Sequence, residues 1–374
     1  MPMATSGRLD IFATVQPGLE PLLLDEVREL GWTAAKAQPG GISFEGGWPD
    51  VWRANLLLRG AGRVLVRIGA FRAEHLAQLD KRSRQLPWAE FIPDGRRVRV
   101  EATCRKSRIY HSGAAAERIE KSLRLATAAV RGDVDDLRVF VRIDQNICTV
   151  SIDTSGELLH KRGYKHDVGK APLRETQAAL FLRACGYNGA EPVLDPMCGS
   201  GTIVLEAAEI AKGLAPGRGR SFAFENLRGF DPSLWGQMKQ EIASAEIVSD
   251  QRFRGYDRDE GVVAASTSNA ERAGLSSITS FNKQNISNLE CPEGPAGLVL
   301  VNPPYGARIG EGHALSSLYQ TLGRRLKEEF SGWRAGIITS EERLAKATGL
   351  PFSEIGPPVP HGPLRIRLYR TATL

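Results

Sequence analysis

From residue 173 onward, short apolar runs alternate with amphipathic stretches of helical length, and that alternation constrains the chain more than any other feature. "PVLDPMCGSGTIVLEAAEIAKG" reads as strand, glycine loop and helix, and "RFRGYDRDEGVVAASTSNAERAG" as strand, acid and helix. "ITSFNKQNISNL", "AGLVLVNPPYG", "WRAGIITS" and "LRIRLYRTA" supply further strands, with the amphipathic "ALSSLYQTLGRRLKEEF" among them. Repeated βα units build a parallel, doubly wound sheet covered on both faces, which binds ligands outside the carboxyl ends of its strands.

The first half follows another pattern. Within residues 1–70, "LDIFATV", "GGISFEG" and "GRVLVRIGAF" read as strands separated by two helices, and this β-α-β-α-β order predicts a ferredoxin-like unit. Residues 71–155 read as a second α+β unit. It comprises the helix "AEHLAQLDKRSRQLPWAEF", the strand "RRVRVEATC", the basic loop "RKSRIYHSG", the helix "AAAERIEKSLRLATAAV" and two closing strands. Residues 156–172 are rich in Gly, Lys and Arg and are expected to link this half to a third unit, 173–374.

The formal net charge is +6, and its placement matters more than its size. Residues 1–170 hold 27 basic and 21 acidic side chains, whereas the 22 of each sign in 171–374 cancel. Between 53 and 108 the balance is 14 basic to 5 acidic, which suits a polyanionic partner held by the N-terminal half. No apolar run approaches the roughly 20 residues that a membrane span requires. The opening "MPMATSGRLDIFATVQPG" has no basic-then-apolar leader, so no signal peptide is expected. Cys104, Cys148, Cys185, Cys198 and Cys291 form neither a zinc-type pair nor a disulfide framework. A reduced, cytoplasmic protein without metal or membrane contact is expected.

Four strand ends carry candidate chemistry. In "LDPMCGSGTI", Asp195 ends a strand, and Gly199 and Gly201 flank Ser200 ahead of a helix. Glycines there let backbone N–H groups approach a ligand, and the helix dipole adds positive potential. The spacing is not the full GxGxxG fingerprint, and the Asp195 charge would oppose a pyrophosphate. A carboxylate there suits the cationic amino-acid end of S-adenosylmethionine. One strand later, Asp257 in "RGYDRDE" stands where an acid holds ribose hydroxyls, while Asp259 better suits a helix cap. Asn285, at the end of the next strand, can bond an adenine edge or serve only as a turn residue. The fourth strand breaks into Asn302-Pro303-Pro304-Tyr305. The Asn302 carbonyl and the Pro303 backbone carbonyl are two acceptors for one planar –NH2 group. The prolines fix that pair in advance, and Tyr305 is expected to expose a face for stacking a base.

These motifs resemble those of class I S-adenosylmethionine-dependent methyltransferases that act on exocyclic amino groups. "FATVQPGLEPLLLDEV", "CRKSRIYHSGAAAERI" and "LLHKRGYK…GKAPLRETQAA" further resemble the THUMP-domain RNA guanine-N2 methyltransferases, with the closest likeness to the 23S rRNA family. The resemblance covers nearly the whole chain. It implies a Rossmann-like domain with a seven-stranded, mostly parallel sheet, preceded by ferredoxin-like and THUMP domains. Several family members carry a further C-terminal methyltransferase domain, which is not expected here. By the resemblance, Asp195, Pro196, Cys198, Gly199, Gly201, Thr202 and Asp257 bind S-adenosylmethionine, and Asn302, Pro303, Pro304 and Tyr305 are catalytic. Glu175 and Thr176 match the element that closes over the cofactor. The family usually has Asp where this chain has Asn285, so adenine binding is expected to persist with changed affinity.

The expected partner is structured RNA, rRNA or alternatively tRNA, met by a monomer. Arg105, Lys106, Arg108 and Tyr110 are expected to contact phosphates and bases through the basic loop, with Lys161, Arg162 and Lys165 as weaker candidates. The expected reaction methylates the N2 amine of an RNA guanosine. The same Asn-Pro-Pro-Tyr motif also serves DNA adenine-N6 and protein glutamine-N5 methyltransferases, and a non-catalytic RNA-assembly factor with a degenerate domain is the rival from another class.

Overall fold

Alternating burial along the strands of the first half builds one continuous sheet. In a computed structural model, residues 7–133, 136–165, 173–306 and 312–374 are described. They divide into two units, one drawn from Met1–Val15, Leu24–Leu159 and Arg220–Glu241, the other from Gln16–Leu23, His160–Gly219 and Ile242–Leu374.

In chain order the first half runs β1 (Leu9–Thr14), α1 (Glu20–Glu29), β2 (Lys36–Gln38), β3 (Gly41–Gly46), α2 (Trp48–Leu57) and β4 (Arg63–Arg72). Then follow α3 (Leu76–Ser83), α4 (Trp88–Phe91), β5 (Arg97–Arg105), α5 (Ser112–Thr127), β6 (Val130–Arg131), β7 (Leu137–Asp144) and β8 (Ile147–Asp153). Pro87 splits the helix expected over 73–91 into α3 and α4, because the residue before a proline is disfavoured in helical geometry. The strands order β2-β3-β1-β4-β8-β7-β5-β6, so those of the expected ferredoxin-like and second units join in one sheet through the antiparallel β4–β8 pair. Along β7, Leu137, Val139, Val141 and Ile143 are buried in alternation with more exposed neighbours, the period of a strand with one covered face.

Residues 220–241 were expected within the third unit, yet they cluster with the first. Their aromatic side chains explain it: the Trp52 ring of α2 meets Phe224 at 6.2 Å and Phe230 at 5.8 Å, and Phe224 meets Trp235 edge-on at 5.1 Å. Buried aromatic rings of this kind dominate local packing energy, at about 0.5–1.5 kcal/mol per pair beyond their area.

The remaining elements are α6 (Glu175–Ala184), β9 (Val193–Asp195), α7 (Thr202–Ala211), α8 (Pro232–Ser244), β10 (Phe253–Asp257), α9 (Glu260–Ala273), β11 (Thr279–Lys283) and β12 (Leu298–Val301). Then come α10 (Gly312–Glu329), β13 (Arg334–Thr339), α11 (Glu342–Ala347), β14 (Phe352–Ile355), β15 (Val359–His361) and β16 (Leu364–Thr373). The second sheet orders β11-β10-β9-β12-β13-β16-β14, seven strands, with β15 added beside β16. Pairs among β9 to β13 are parallel; β16 runs antiparallel to β13, β14 and β15. Strands β14 and β15 were not foreseen, since both are short and carry little apolar alternation. On α10, Tyr319, Leu322 and Leu326 recur at helical spacing and, with Phe330 just beyond it, pack into a core with Val299, Val301 and Ile337. Each fully buried side chain of that size stabilises by roughly 1.5–3 kcal/mol. Strand order reverses between β9 and β12, and a crevice opens at the carboxyl ends of strands at such a switch point.

Candidate active site

Asp195, Asp257 and the Asn302 turn all follow the carboxyl ends of adjacent strands, β9, β10 and β12. The loop from β9 to α7 is fixed from several sides. Cys198 N–H donates to the Tyr256 carbonyl at 2.8 Å, and Gly199 N–H donates to Asp257 Oδ2 at 3.2 Å. From α9, Ser266 Oγ donates to the Gly199 carbonyl at 2.5 Å and Asn269 Nδ2 to the Ser200 carbonyl at 3.1 Å. Gly199 and Gly201 have φ of +53° and +83°, a region that costs other residues strain. A Cβ on Gly201 would meet the Phe281 ring at 3.1 Å, while one on Gly199 would meet nothing within 4 Å. Gly199 thus turns an open face away from the packed side of the loop. Pro196 and Cys198 are buried beneath it.

Asp195 is 2% exposed, and its Oδ1 accepts from Met197 N–H at 3.1 Å. Burial pushes its carboxyl up to about 8, and the nearby Asp257 charge adds to the rise. A cationic ligand group beside it would favour the ionised form. Asp257 is half-buried, and its Oδ1 also accepts from Asp259 N–H at 3.1 Å. Asp259 caps α9, accepting from Gly261 and Val262 N–H groups, as its position suggested. Asn285 is exposed, and its side-chain oxygen accepts from Ser287 N–H at 3.1 Å and Ser287 Oγ at 3.2 Å. Its carbonyl therefore serves the turn, the plainer of its two expected roles.

At the β12 end, Asn302 Oδ1 is buried without a hydrogen-bond partner. Such an atom costs free energy unless a donor reaches it. The turn is held from behind: Tyr319 Oη donates to the Pro304 carbonyl at 3.3 Å, and Gly306 N–H to Glu341 Oε1 at 2.9 Å. Pro303 is buried and Pro304 exposed. Tyr305, expected to be an exposed platform, is half-buried, with its ring edge-on to His361 at 6.4 Å. Burial pushes its phenol up to about 12, partly offset by donation from the Asn302 side-chain N–H, which leaves Asn302 Oδ1 unpartnered.

Glu175 and Thr176 open α6 and are both buried. Lys165 was expected to touch RNA; instead its ammonium is buried, 2.9 Å from Glu175 Oε1 and 2.5 Å from Thr202 Oγ1. Arg162 is 2% exposed and paired with Glu206 of α7 at 3.2 Å, so it too is structural and not an RNA contact. Lys161 is exposed. In the first unit, Arg105 ends β5 and Lys106, Arg108 and Tyr110 follow on the β5–α5 loop, all four exposed. Arg108 pairs with Glu74 at 2.6 Å, and the Tyr110 and His111 rings lie 4.2 Å apart. Sequence reasoning missed Ser266, Asn269, Gln177 and His361. Ser266 and Asn269, three apart in "STSNAER", form a polar stripe on the face of α9 that packs, which was the available signal. Among the described residues no cluster of three His, Cys, Asp or Glu side chains suits a metal, and no helix is long and apolar enough to cross a membrane.

Residues 162–354 match the family described as the RMKL-like methyltransferase domain, residues 10–65 the RlmL ferredoxin-like domain and residues 73–153 the THUMP domain. The chain belongs to the RMKL-like methyltransferase family. It is 37% identical over 366 residues to the ribosomal RNA large subunit methyltransferase K/L of Syntrophotalea carbinolica, covering 91% of this chain and 50% of that one. It is 33% identical to a candidate RNA methyltransferase of Synechocystis sp., covering 91% and 90% of the two chains. The chain thus spans about half the length of the ribosomal relatives it matches. A candidate methyltransferase solved with S-adenosylhomocysteine superposes with a TM-score of 0.89 at 25% identity, covering 99% of both chains. In this RMKL-like chain, the ferredoxin-like and THUMP matches fall on β1–β4 and β5–β8 of one sheet. The β15–β16 hairpin, with His361, lies beyond the matched methyltransferase residues.

Proposed function

We propose that this chain transfers a methyl group from S-adenosylmethionine to the exocyclic N2 amine of a guanosine in structured RNA, with 23S rRNA as substrate. The observation that carries the reading is the buried, unpartnered Oδ1 of Asn302 at the carboxyl end of β12. A buried acceptor left unsatisfied by the protein is a place made for a donor, and an –NH2 group supplies one.

The neighbouring residues fit the cofactor. The open side of Gly199 leaves room for close backbone approach, buried Asp195 suits a cation, and Asp257 suits the ribose hydroxyls. When bound, the cofactor supplies an already activated methyl on a sulfonium. The protein's part is then alignment and exclusion of water. Asn302 Oδ1 and the Pro303 carbonyl accept the two amine hydrogens and turn the nitrogen lone pair outward. Tyr305 offers its remaining free surface to the base. The amine proton leaves after the methyl arrives, so a strong general base is not required.

The basic first half grips the RNA. Domains of 1–70, 71–155 and 173–374 joined by 156–172 fit the reading, as do a cytoplasmic location and action as a monomer. Arg105, Lys106 and Arg108 contact phosphates and Tyr110 stacks on a base. Purified protein, labelled S-adenosylmethionine and rRNA from a strain lacking the protein should yield 2-methylguanosine on nucleoside mass spectrometry. Methylation only of tRNA, of adenine or of protein would refute the assignment.

A further inference from the structure

His361 stands beside the Asn-Pro-Pro-Tyr turn and takes no part in the mechanism above. It ends β15, and the two-residue turn Gly362-Pro363 leads into β16 with His361 paired to Leu364. Gly362 has φ of +57°, as the first central residue of a tight hairpin requires. The hairpin meets the catalytic turn twice. A Cβ on Gly306 would lie 3.1 Å from Leu364 Cδ1, and the His361 ring stands edge-on to Tyr305.

The tautomer follows from the neighbours. Gln177 Nε2 donates to the Pro360 carbonyl at 3.4 Å, which turns Gln177 Oε1 toward His361 Nδ1 at 3.2 Å. A carbonyl oxygen only accepts, so Nδ1 carries the hydrogen and Nε2 is left with a lone pair. Burial and the Arg174 charge push the imidazole below its ordinary range, which keeps it neutral at physiological pH.

We infer that His361 Nε2 accepts the N1–H of the target guanine and thereby selects guanine among amine-bearing substrates. This rests on the guanine-N2 reading above. Of the exocyclic amines of the bases, only guanine's N2 has a ring N–H beside it. The amines of adenine and cytosine are flanked by an acceptor ring nitrogen, and a glutamine amide by its own carbonyl oxygen. Any of these would set two lone pairs against each other, and a site built around a hydrogen bond rejects such analogues strongly.

The test uses the full chain, labelled S-adenosylmethionine and rRNA from a strain lacking the protein. His361→Phe keeps a flat ring against Tyr305 and removes the acceptor. It should lower kcat/KM for 2-methylguanosine formation by roughly 10- to 100-fold, the loss expected for one unmade buried hydrogen bond, with unchanged calorimetric affinity for S-adenosylmethionine. His361→Gln, which restores an acceptor, should recover part of that loss. Full activity in His361→Phe overturns the inference, as does a parallel loss of cofactor affinity, or a His361→Gln variant no better than His361→Phe. Absence of 2-methylguanosine from the wild-type reaction instead sinks the guanine-N2 reading itself.

Discussion

The amide of Gly199 donates to Asp257 Oδ2 across 3.2 Å, so the acid proposed to hold the ribose also fixes the loop proposed to approach the cofactor. Removing it should do two kinds of damage at once. Asp257→Ala is expected to weaken S-adenosylmethionine binding at least ~10-fold, since hydrogen bonds to a charged group contribute about 1.5–3 kcal/mol. Asp257→Asn keeps one acceptor for Gly199 and should fall between. Calorimetry checks both, and equal affinity in the three proteins would contradict the shared role.

Asp195 predicts a pH signature. Its folded-state value of about 8 stands well above the ordinary carboxyl range because of burial. The folded protein therefore holds a proton there that the unfolded chain releases at lower pH. Between about pH 4 and 8 this makes stability without cofactor decline as pH rises. A cationic ligand reverses the preference and expels the proton. Cofactor affinity should rise from pH 6 toward 8 and then level, with up to one proton released per molecule bound. Calorimetry in buffers of different ionisation enthalpy measures that release, and Asp195→Asn should abolish it.

Asn302→Ala separates binding from chemistry. The loop proposed to meet the cofactor joins β9 to α7, away from the β12 end, so affinity for S-adenosylmethionine should stay within about twofold. Turnover should fall by about 10²-fold or more, the scale seen when one preorganised polar contact to a reacting group is deleted. Undiminished turnover in a methyl-incorporation assay would remove Asn302 from the mechanism.

Much of this was legible in the chain. The alternation after residue 173 dictated the parallel sheet, and the acids and amide at three strand ends marked the crevice, because strand ends of such a sheet converge there. Burial of individual cations was not legible. Arg162 and Lys165 sit in "HKRGYK", which reads as a solvated basic linker, and only the fold reveals Glu206 and Glu175 as their partners. His361 escaped for a related reason: β15 is three residues long, and its placement beside Tyr305 depends on pairing with β16. The aromatic residues of 220–241 gave no sign of which core they would join.

The Arg162–Glu206 pair should be a stability element. Both side chains are almost fully buried, so Arg162→Met takes a charged partner from the buried Glu206 carboxylate, at a cost of up to about 3–5 kcal/mol. Replacing Glu206 by Met as well removes the buried charge and should recover most of the loss. Scanning calorimetry would show a lowered transition in the single variant and near-restoration in the double. An unchanged single variant would mean that the pair contributes nothing.

Arg105 and Lys106 should behave in the opposite way. Both are exposed, Arg105 at the end of β5 and Lys106 just after it, so replacement by Ala should leave thermal unfolding nearly unchanged. Each phosphate contact releases a condensed counterion, so each lost contact should reduce the slope of log affinity against log salt by roughly 0.7–0.9. The double variant Arg105→Ala/Lys106→Ala should therefore bind rRNA more weakly at low salt and converge on the wild type as salt rises. Arg162→Met, whose cation is interior, should leave the slope untouched. A slope that does not change in the loop variant would place the RNA on another face of the first sheet.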